Sequence, residues 1–273
     1  MKDVRCRTIW ISDVHLGTRE CAADALLAFL DRHQCDYLYL VGDIVDFWQL
    51  RRTPYWPQIQ SDVVRKILSK ARSGTIVTLI PGNHDEYLRR FCDLQLGNIM
   101  ITREAIHRTA DGRLLLVLHG DEFDGLGAHL MLAWLADVGY RLMVRLNRWI
   151  NWNRRLLGYG YWSLPSSLAS MLESASSFGA AFEAAVVQEA SRRRLAGVVC
   201  GHIHQPALRP SGPVLYCNTG DWVENCTAVL EHFDGRLELV SSIPAARGTR
   251  AATAVPAEDA GAATSTRSDG RRP

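Results

Sequence analysis

Tyr37-Leu38-Tyr39-Leu40-Val41-Gly42-Asp43 decides how this chain folds. An unbroken apolar run, rather than an alternation, describes a buried strand. The run stops at a glycine and a carboxylate, so polar chemistry begins where the strand gives out. The same arrangement recurs on both sides. Thr8–Ile11 reads as a short strand with Asp13 and His15 just past its end, and Thr75–Ile80 leads into Pro81-Gly82-Asn83. Leu114–Leu118 ends at His119, and Leu195–Cys200 ends at Gly201-His202. Between the first strands, Ala23, Leu26, Leu27 and Leu30 recur at helical spacing, which predicts an amphipathic helix over residues 22–32. A second helix is expected near residues 59–72.

Strand, polar loop, helix and strand again is an α/β pattern, and such sheets build their sites at the carboxyl ends of strands. Asp13 to Asp43 spans 30 residues, Asp43 to Asn83 spans 40 and Asn83 to His119 spans 36, each enough for one strand-helix-strand step. His119 to His202 spans 83, which leaves room for an inserted helical subdomain. Val214–Cys217, Thr227–His232 and Leu237–Val240, the last two joined through Asp234-Gly235 as a hairpin turn, read as antiparallel strands completing a second sheet. The expected organisation is one domain over residues 1–244, with a cap insertion over about 125–195 and a tail over 245–273. The tail is rich in Ala, Thr, Ser, Gly, Arg and Pro. It has too little apolar surface to offset its ordering entropy, so it is expected to be disordered.

At 273 residues the chain can bury a sizeable core, and a net charge of +2 gives no global attraction to nucleic acid, which is not an expected partner. Seven cysteines, odd in number and scattered, argue for reduced thiols in a cytosolic protein rather than a disulfide framework. The N-terminus carries Lys2, Asp3, Arg5 and Arg7 before its first strand and lacks a secretory apolar region. No run approaches the roughly 20 apolar residues of a membrane span. The protein is therefore expected to be soluble, or to lie on a membrane without crossing it.

Five short motifs carry the chemistry: Asp13-Val14-His15, Gly42-Asp43, Gly82-Asn83-His84-Asp85, His119-Gly120-Asp121 and Gly201-His202-Ile203-His204. Each alone has a plain structural reading as a turn, or as one core and one surface histidine. Together, in order and mostly after strands, they offer Asp, His and Asn and no Cys, a donor set suited to divalent ions such as Mn²⁺. Two ions held about 3.5–4 Å apart need a bridging carboxylate, and Asp43 sits centrally in the series. Such a pair supports attack of water on a phosphorus centre. Asp121 and Asp124 stand between helping the site and capping the insertion, and Asp85 between structure and catalysis.

These motifs resemble those of the calcineurin-like metallophosphoesterase superfamily, D-x-H, G-D-x-x-D, G-N-H-[DE], H and G-H-x-H, and all five elements are present over residues 8–232. The resemblance implies a four-layer α/β/β/α sandwich with an inserted helical cap. It implies that Asp13, His15, Asp43 and His204 hold one metal, and that Asp43, Asn83, His119 and His202 hold the other. His84 would stand beside the metals and protonate the leaving group or stabilise transition-state charge, with Asp46 orienting it.

The insertion has its own composition. Trp134, Trp149, Trp152 and Trp162 are half of the chain's tryptophans, and residues 128–162 carry five arginines against one acid, Asp137. Arg141, Arg145, Arg148 and Arg155 recur at helical spacing, with Leu142, Leu146, Trp149 and Ile150 on another face. Arg141, Arg145, Arg148, Trp149, Asp121 and Asp124 are the candidate substrate contacts. One reading is a face for an anionic lipid or membrane surface. A second is an ordinary cap helix with solvated arginines. A third is a stacking platform for single-stranded nucleic acid, against which the near-neutral charge speaks.

Gly42-Asp43-Ile44-Val45-Asp46-Phe47-Trp48, His119-Gly120-Asp121-Glu122-Phe123-Asp124 and Asn218-Thr219-Gly220-Asp221-Trp222 are similar to the UDP-2,3-diacylglucosamine diphosphatase group. That resemblance implies hydrolysis of a nucleotide-linked glycolipid in lipid A synthesis at the cytoplasmic face of the inner membrane. The best-characterised branch of that group has Arg after the metal-ligating Asn, whereas this chain has His84. The metal chemistry carries over by the resemblance, and the particular lipid does not. A phosphodiesterase acting on another phospholipid or on a nucleotide, and a membrane-recruited binding module without activity, are the alternatives.

Overall fold

The computed structural model describes residues 4–126, 167–242 and 254–255, with side chains described over residues 4–123 and 178–242. Two sheets lie face to face. The larger runs β13-β12-β11-β1-β2-β3-β5-β4 and the smaller β6-β7-β8-β10-β9. In the first sheet, β1 (Val4–Ile11), β2 (His33–Val41) and β3 (Ile76–Ile80) are parallel neighbours, with β5 (Ile99–Ile101) parallel beyond them and β4 (Gln95–Leu96) at the edge. In the second, β7 (Leu114–Val117), β8 (Gly197–Cys200) and β10 (Val214–Asn218) are parallel, flanked by β6 (Ala105–Arg108) and β9 (Ala207–Ser211) antiparallel.

Successive side chains of a strand point to opposite faces, and this alternation sorts the apolar residues into three cores. Ile9, Ile11, Leu38 and Leu40 meet Leu26, Phe29 and Leu30 of α1 (Ala23–Arg32) and Val63, Ile67 and Ala71 of α3 (Gln58–Arg72). The intervening Trp10, Tyr39 and Val41 face Leu115, Val117, Val199, Leu215 and Cys217 of the other sheet. Leu116, Leu118, Val198, Cys200, Val214 and Tyr216 point outward again, onto Phe178, Phe182, Val186 and Ala190 of α4 (Ser167–Arg192). Helix layer, sheet, sheet and helix layer follow in that order, the four-layer α/β/β/α sandwich. Each of the large apolar side chains that α1 buries stabilises by roughly 1.5–3 kcal/mol, so one helix face contributes appreciably.

A polar staple crosses the inter-sheet core. Glu231 of β11 (Thr227–Glu231) is fully buried; it accepts from Arg7 Nη1 at 2.7 Å, Thr8 Oγ1 at 2.5 Å and the Ala110 amide at 2.6 Å. His107 Nε2 lies 2.9 Å from the same carboxylate, and its Nδ1 lies 3.1 Å from Tyr39 Oη. Nε2 therefore carries the proton and Nδ1 accepts from the tyrosine. Burial alone would raise the Glu231 carboxyl, but the bonds from His107, Thr8 and Ala110 hold it below the ordinary range.

Two expectations change. Of the three late segments assigned to a second sheet, only β10 lies there; β11 and β12 (Leu237–Ser241) join the first sheet, antiparallel beside β1. The chain crosses between sheets after Asn218, through a turn in which the Trp222 amide donates to Asp13 O at 3.0 Å. Within the tail expected to be disordered, β13 (Ala254–Val255) pairs with β12. Arg141, Arg145, Arg148 and Trp149 lie outside the described residues. Asp124 falls in a 3₁₀ turn over Asp121–Leu126, its side chain outside the description.

Candidate metal centre

The loops after β1 and β2 are laced together before any functional side chain is placed. The Asp13 amide donates to Gly42 O at 3.0 Å, the His15 amide to Asp43 O at 2.9 Å and the Leu16 amide to Ile44 O at 2.9 Å. On the other sheet the Gly201 amide donates to His119 O at 3.2 Å. Asp13 joins the two sheets, because its Oδ2 accepts from the His202 amide at 2.9 Å and from Ser12 Oγ. Sequence motifs 189 residues apart, at Asp13 and His202, thereby converge on one spot.

Backbone conformation marks the same residues. Asp13, His15, Asp43, His202 and His204 all have positive φ, between 51° and 69°. The left-handed region costs such residues of order 1–3 kcal/mol each, and five of the eight non-glycine residues in it among those described are candidate ligands. The strain turns each side chain off its strand and toward the common centre.

Lone pairs face one another there. His119 Nδ1 is 2.9 Å from Val41 O, which can only accept, so that nitrogen holds the proton of the neutral ring. Its Nε2 then directs a lone pair at Asn83 Oδ1, 3.3 Å away, and Asp43 Oδ2, 3.5 Å away, both acceptors. His15 repeats the arrangement. Its Nδ1 is 3.1 Å from Asp46 Oδ2, and its Nε2 faces His204 Nε2 at 3.4 Å and Asp43 Oδ2 at 4.0 Å. His204 Nε2 is 3.1 Å from Asp13 Oδ1, a fully buried oxygen that receives no well-aligned hydrogen bond. Imidazole nitrogens and carboxylate oxygens so placed need positive charge between them, and the donor set is one that divalent ions accept. The residues therefore fit a metal centre. Asp13, His15 and His204 form one group able to hold a cation, and Asp13, Asp43 and His119 a second.

The electrostatics agree. Burial alone would raise the Asp43 carboxyl, but His119, His15 and His84 hold it well below the carboxylate range. Burial would likewise raise Asp13, and His204 keeps it low. His119 is pushed the other way: burial opposes its charging, yet Asp43 and Asp13 raise its affinity for a proton well above the ordinary value. Proton and metal compete for that lone pair, so the field that draws one draws the other.

Asp46, His15 and His84 make a further group of three, but hydrogen bonding accounts for it. Asp46 Oδ2 lies 3.1 Å from His15 Nδ1 and 2.9 Å from His84 Nδ1, the latter off the line of an ideal bond. Its Oδ1 caps α2 (Phe47–Arg52) by accepting from the Gln49 amide at 2.7 Å. With Nδ1 toward Asp46, His84 turns Nε2 toward the centre, 4.0 Å from Asp43 Oδ2. Burial would lower the His84 pKa, but Asp46 and Asp43 raise it overall. Trp48 leans on the His84 ring at 4.3 Å between centroids.

His202 stands beside this group, its ring 5.1 Å from that of His119. Asp121 is engaged by Arg89 Nη2 at 2.6 and 2.7 Å, so the structure gives it a partner on the neighbouring loop. Trp48 enters the sequence reading only as part of a motif, with no contact assigned, and Arg89 not at all; the Arg89 partnership becomes visible only once the segments after β3 and β7 are brought together. Asn225 is a third such residue, its side chain donating to His204 O at 3.0 Å.

Close approach explains the glycines. A Cβ on Gly82 would stand 2.3 Å from Asp43 Oδ1 and 2.6 Å from His119 Nε2, and one on Gly201 would stand 2.4 Å from Asp13 Oδ2. Gly82→Ala is expected to leave the sandwich folded, displace Asp43 and His119, and cost about 10²-fold in turnover, the scale of a misplacement near 1 Å. Circular dichroism together with metal titration checks this.

A profile of calcineurin-like phosphoesterases matches residues 6–206, most of the chain. The chain belongs to the calcineurin-like phosphoesterase family. Its members are metal-dependent hydrolases of phosphoesters, and this chain is one. It is similar to UDP-2,3-diacylglucosamine hydrolase of Salmonella schwarzengrund, with 28% identity over 211 residues, 74% of this chain and 83% of that one. It is also similar to the enzyme of the same name from Porphyromonas gingivalis, with 29% identity over 126 residues, 44% of this chain and 47% of that one. Among solved structures it is similar to a Vps29 variant from Entamoeba histolytica, with 10% identity, a TM-score of 0.45, and coverage of 91% of this chain and 97% of that one.

Proposed function

We propose that this phosphoesterase cleaves the diphosphate linkage of UDP-2,3-diacylglucosamine, releasing UMP and 2,3-diacylglucosamine 1-phosphate, with two divalent ions, Mn²⁺ foremost. The observation that carries the substrate is the 28% identity to a hydrolase of that name across 74% of this chain. Asp13, His15, Asp43 and His204 would hold one ion, and Asp43, Asn83, His119 and His202 the other. When bound, the ions supply Lewis acidity that activates water and neutralises phosphoryl charge. Asp43 is common to both sets and would be the carboxylate shared by the two ions; the His84 amide donates to its Oδ1 at 2.8 Å. His84 holds a proton at Nε2 for the leaving group, oriented through Nδ1 by Asp46. Asp46 also holds the His15 ring, so one carboxylate sets both the ligand and the proton donor.

Acting on such a lipid, the enzyme would work as a peripheral protein on the cytoplasmic face of the inner membrane. No helix among the described residues is long and apolar enough to cross a membrane. Arg141, Arg145 and Arg148, with Trp149, supply the contact to the anionic surface. Replacing the three arginines by Glu should weaken binding to anionic vesicles by roughly 1 kcal/mol or more per site. It should also lower activity on the lipid while sparing a small soluble phosphodiester, and vesicle sedimentation beside the two assays reads all three.

The second reading, a phosphodiesterase acting on another phospholipid or a nucleotide, is favoured by His84 standing where the similar diphosphatase branch has Arg. Incubation with UDP-2,3-diacylglucosamine and Mn²⁺, with products resolved by mass spectrometry, tests the substrate. UMP and the 1-phosphate are expected. Intact substrate, with turnover of a generic phosphodiester, moves the assignment to the second reading.

A further inference from the structure

Asp85 is fully buried, and nothing in the chemistry above uses it. Its carboxylate is filled by backbone amides. Oδ1 accepts from the Gly82 amide at 2.6 Å and the Asp43 amide at 3.3 Å, and Oδ2 from Ile44 at 2.8 Å and Val45 at 3.4 Å. Asp43, Ile44 and Val45 are consecutive, and Asp43 turns into the left-handed region at φ 54°. A left-handed residue leading a run of amides makes a concave nest of N–H groups that binds an anion, and here the anion is a side chain from another loop.

That loop matters. Asp43 follows β2 and Asn83 follows β3, and strand pairing between β2 and β3 ends at Val41 and Ile80. Beyond those residues the sheet no longer sets the distance between the two loops. Asp85 sits two residues past Asn83 and grips the backbone of Asp43 itself, while Gly82, on the other side of Asn83, is tied to the same carboxylate. The reverse link is present too, since the His84 amide donates to Asp43 Oδ1 at 2.8 Å.

We infer that Asp85 is the positioning residue that sets the bridging carboxylate of Asp43 against the Asn83 ligand, and so fixes the geometry for the second metal ion. The inference rests on the two-metal reading proposed above. Asp85 touches neither metal nor substrate. It acts through the backbone, by holding Asp43 in a conformation the residue would otherwise leave. A carboxylate is required because it alone offers acceptors on both oxygens to four converging donors. An amide of the same shape keeps one oxygen and turns an NH₂ group onto two N–H groups.

The test is Asp85→Asn in the full chain, with wild type alongside. Calorimetric titration with Mn²⁺ is expected to give two equivalents in wild type. In the variant, one equivalent should weaken by about 10–100-fold, the scale seen when groups that orient metal ligands are removed. The kcat should fall more than KM rises, and the exchange-coupled dinuclear Mn²⁺ resonance signal should change or vanish in the folded protein. A merely stabilising residue would move the melting temperature and leave that signal intact. Hydrogen exchange of the metal-free proteins is expected to show the Ile44 and Gly82 amides as protected as the strands in wild type, and selectively exposed in the variant. Wild-type titration without Mn²⁺ binding would sink the two-metal reading, whereas equal binding, signal and kcat in the two proteins sink only the role of Asp85. Should the variant fail to fold, loop-like exchange of Ile44 and Gly82 in the wild-type protein overturns the inference, and strand-like protection supports it.

Discussion

Asp43→Ala abolishes turnover and strips metal from a protein that stays folded. One carboxylate oxygen of Asp43 stands 3.5 Å from His119 Nε2 and 4.0 Å from His15 Nε2, so it faces both imidazoles. Its removal takes away the carboxylate common to both proposed ligand sets, and the remaining ligands, Asp13 among them, are not expected to fix the separation of two ions. The side chain is almost wholly buried and alanine keeps its Cβ at φ 54°, so some stability is lost, but the loop stays laced to Asp13 and Leu16 through main-chain bonds. The fold is therefore expected to survive. Elemental analysis after dialysis reads the metal, and chromogenic phosphodiester hydrolysis reads the rate. Two retained metals with near-normal activity contradict the bridging assignment.

His84→Ala is expected to do the opposite to the metals. Its ring nitrogens face Asp46 Oδ2 at 2.9 Å and Asp43 Oδ2 at 4.0 Å, which places it beside the centre rather than within either ligand group. Both ions should remain, and the rate should fall by on the order of 10²–10⁴, the range for general acid–base assistance. The Trp48 ring, 42% exposed, loses its partner and provides a fluorescence report that the substitution has reached the intended place. Metal loss in this variant makes His84 a ligand instead, and an unchanged rate makes it a bystander.

The site was more legible in the sequence than the topology around it. Asp13, His15, Asp43, Asn83, His119, His202 and His204 are legible only as a series. Each motif alone reads as a turn or an ordinary histidine, but in order past apolar strands they offer one divalent-ion donor set and match the family's motifs. The structure brings all of them into one cluster. The destination of Thr227–Glu231 was not legible, since all five of its residues are buried and an apolar run fits either sheet equally well. Its antiparallel place beside β1 is decided by the crossing turn at Asp221-Trp222, whose contacts reach back to Asp13 and Ala22. Asp85 was hidden for a related reason. Next to His84 it looks like a turn residue, and its partners at Asp43–Val45 lie about 40 positions upstream. Short strands such as β4 and β5, with two and three residues, carry too little pattern to be read at all.

The metal centre is the central claim, and one titration addresses it. Protein freed of metal by a chelator is assayed on a chromogenic phosphodiester as Mn²⁺ is added back in known ratio to protein. Metal-free protein should show no turnover, and activity should climb until two equivalents are bound, with Asp43→Ala inactive throughout. Full activity in the chelated protein, or recovery in the Asp43→Ala variant equal to wild type, would contradict that claim.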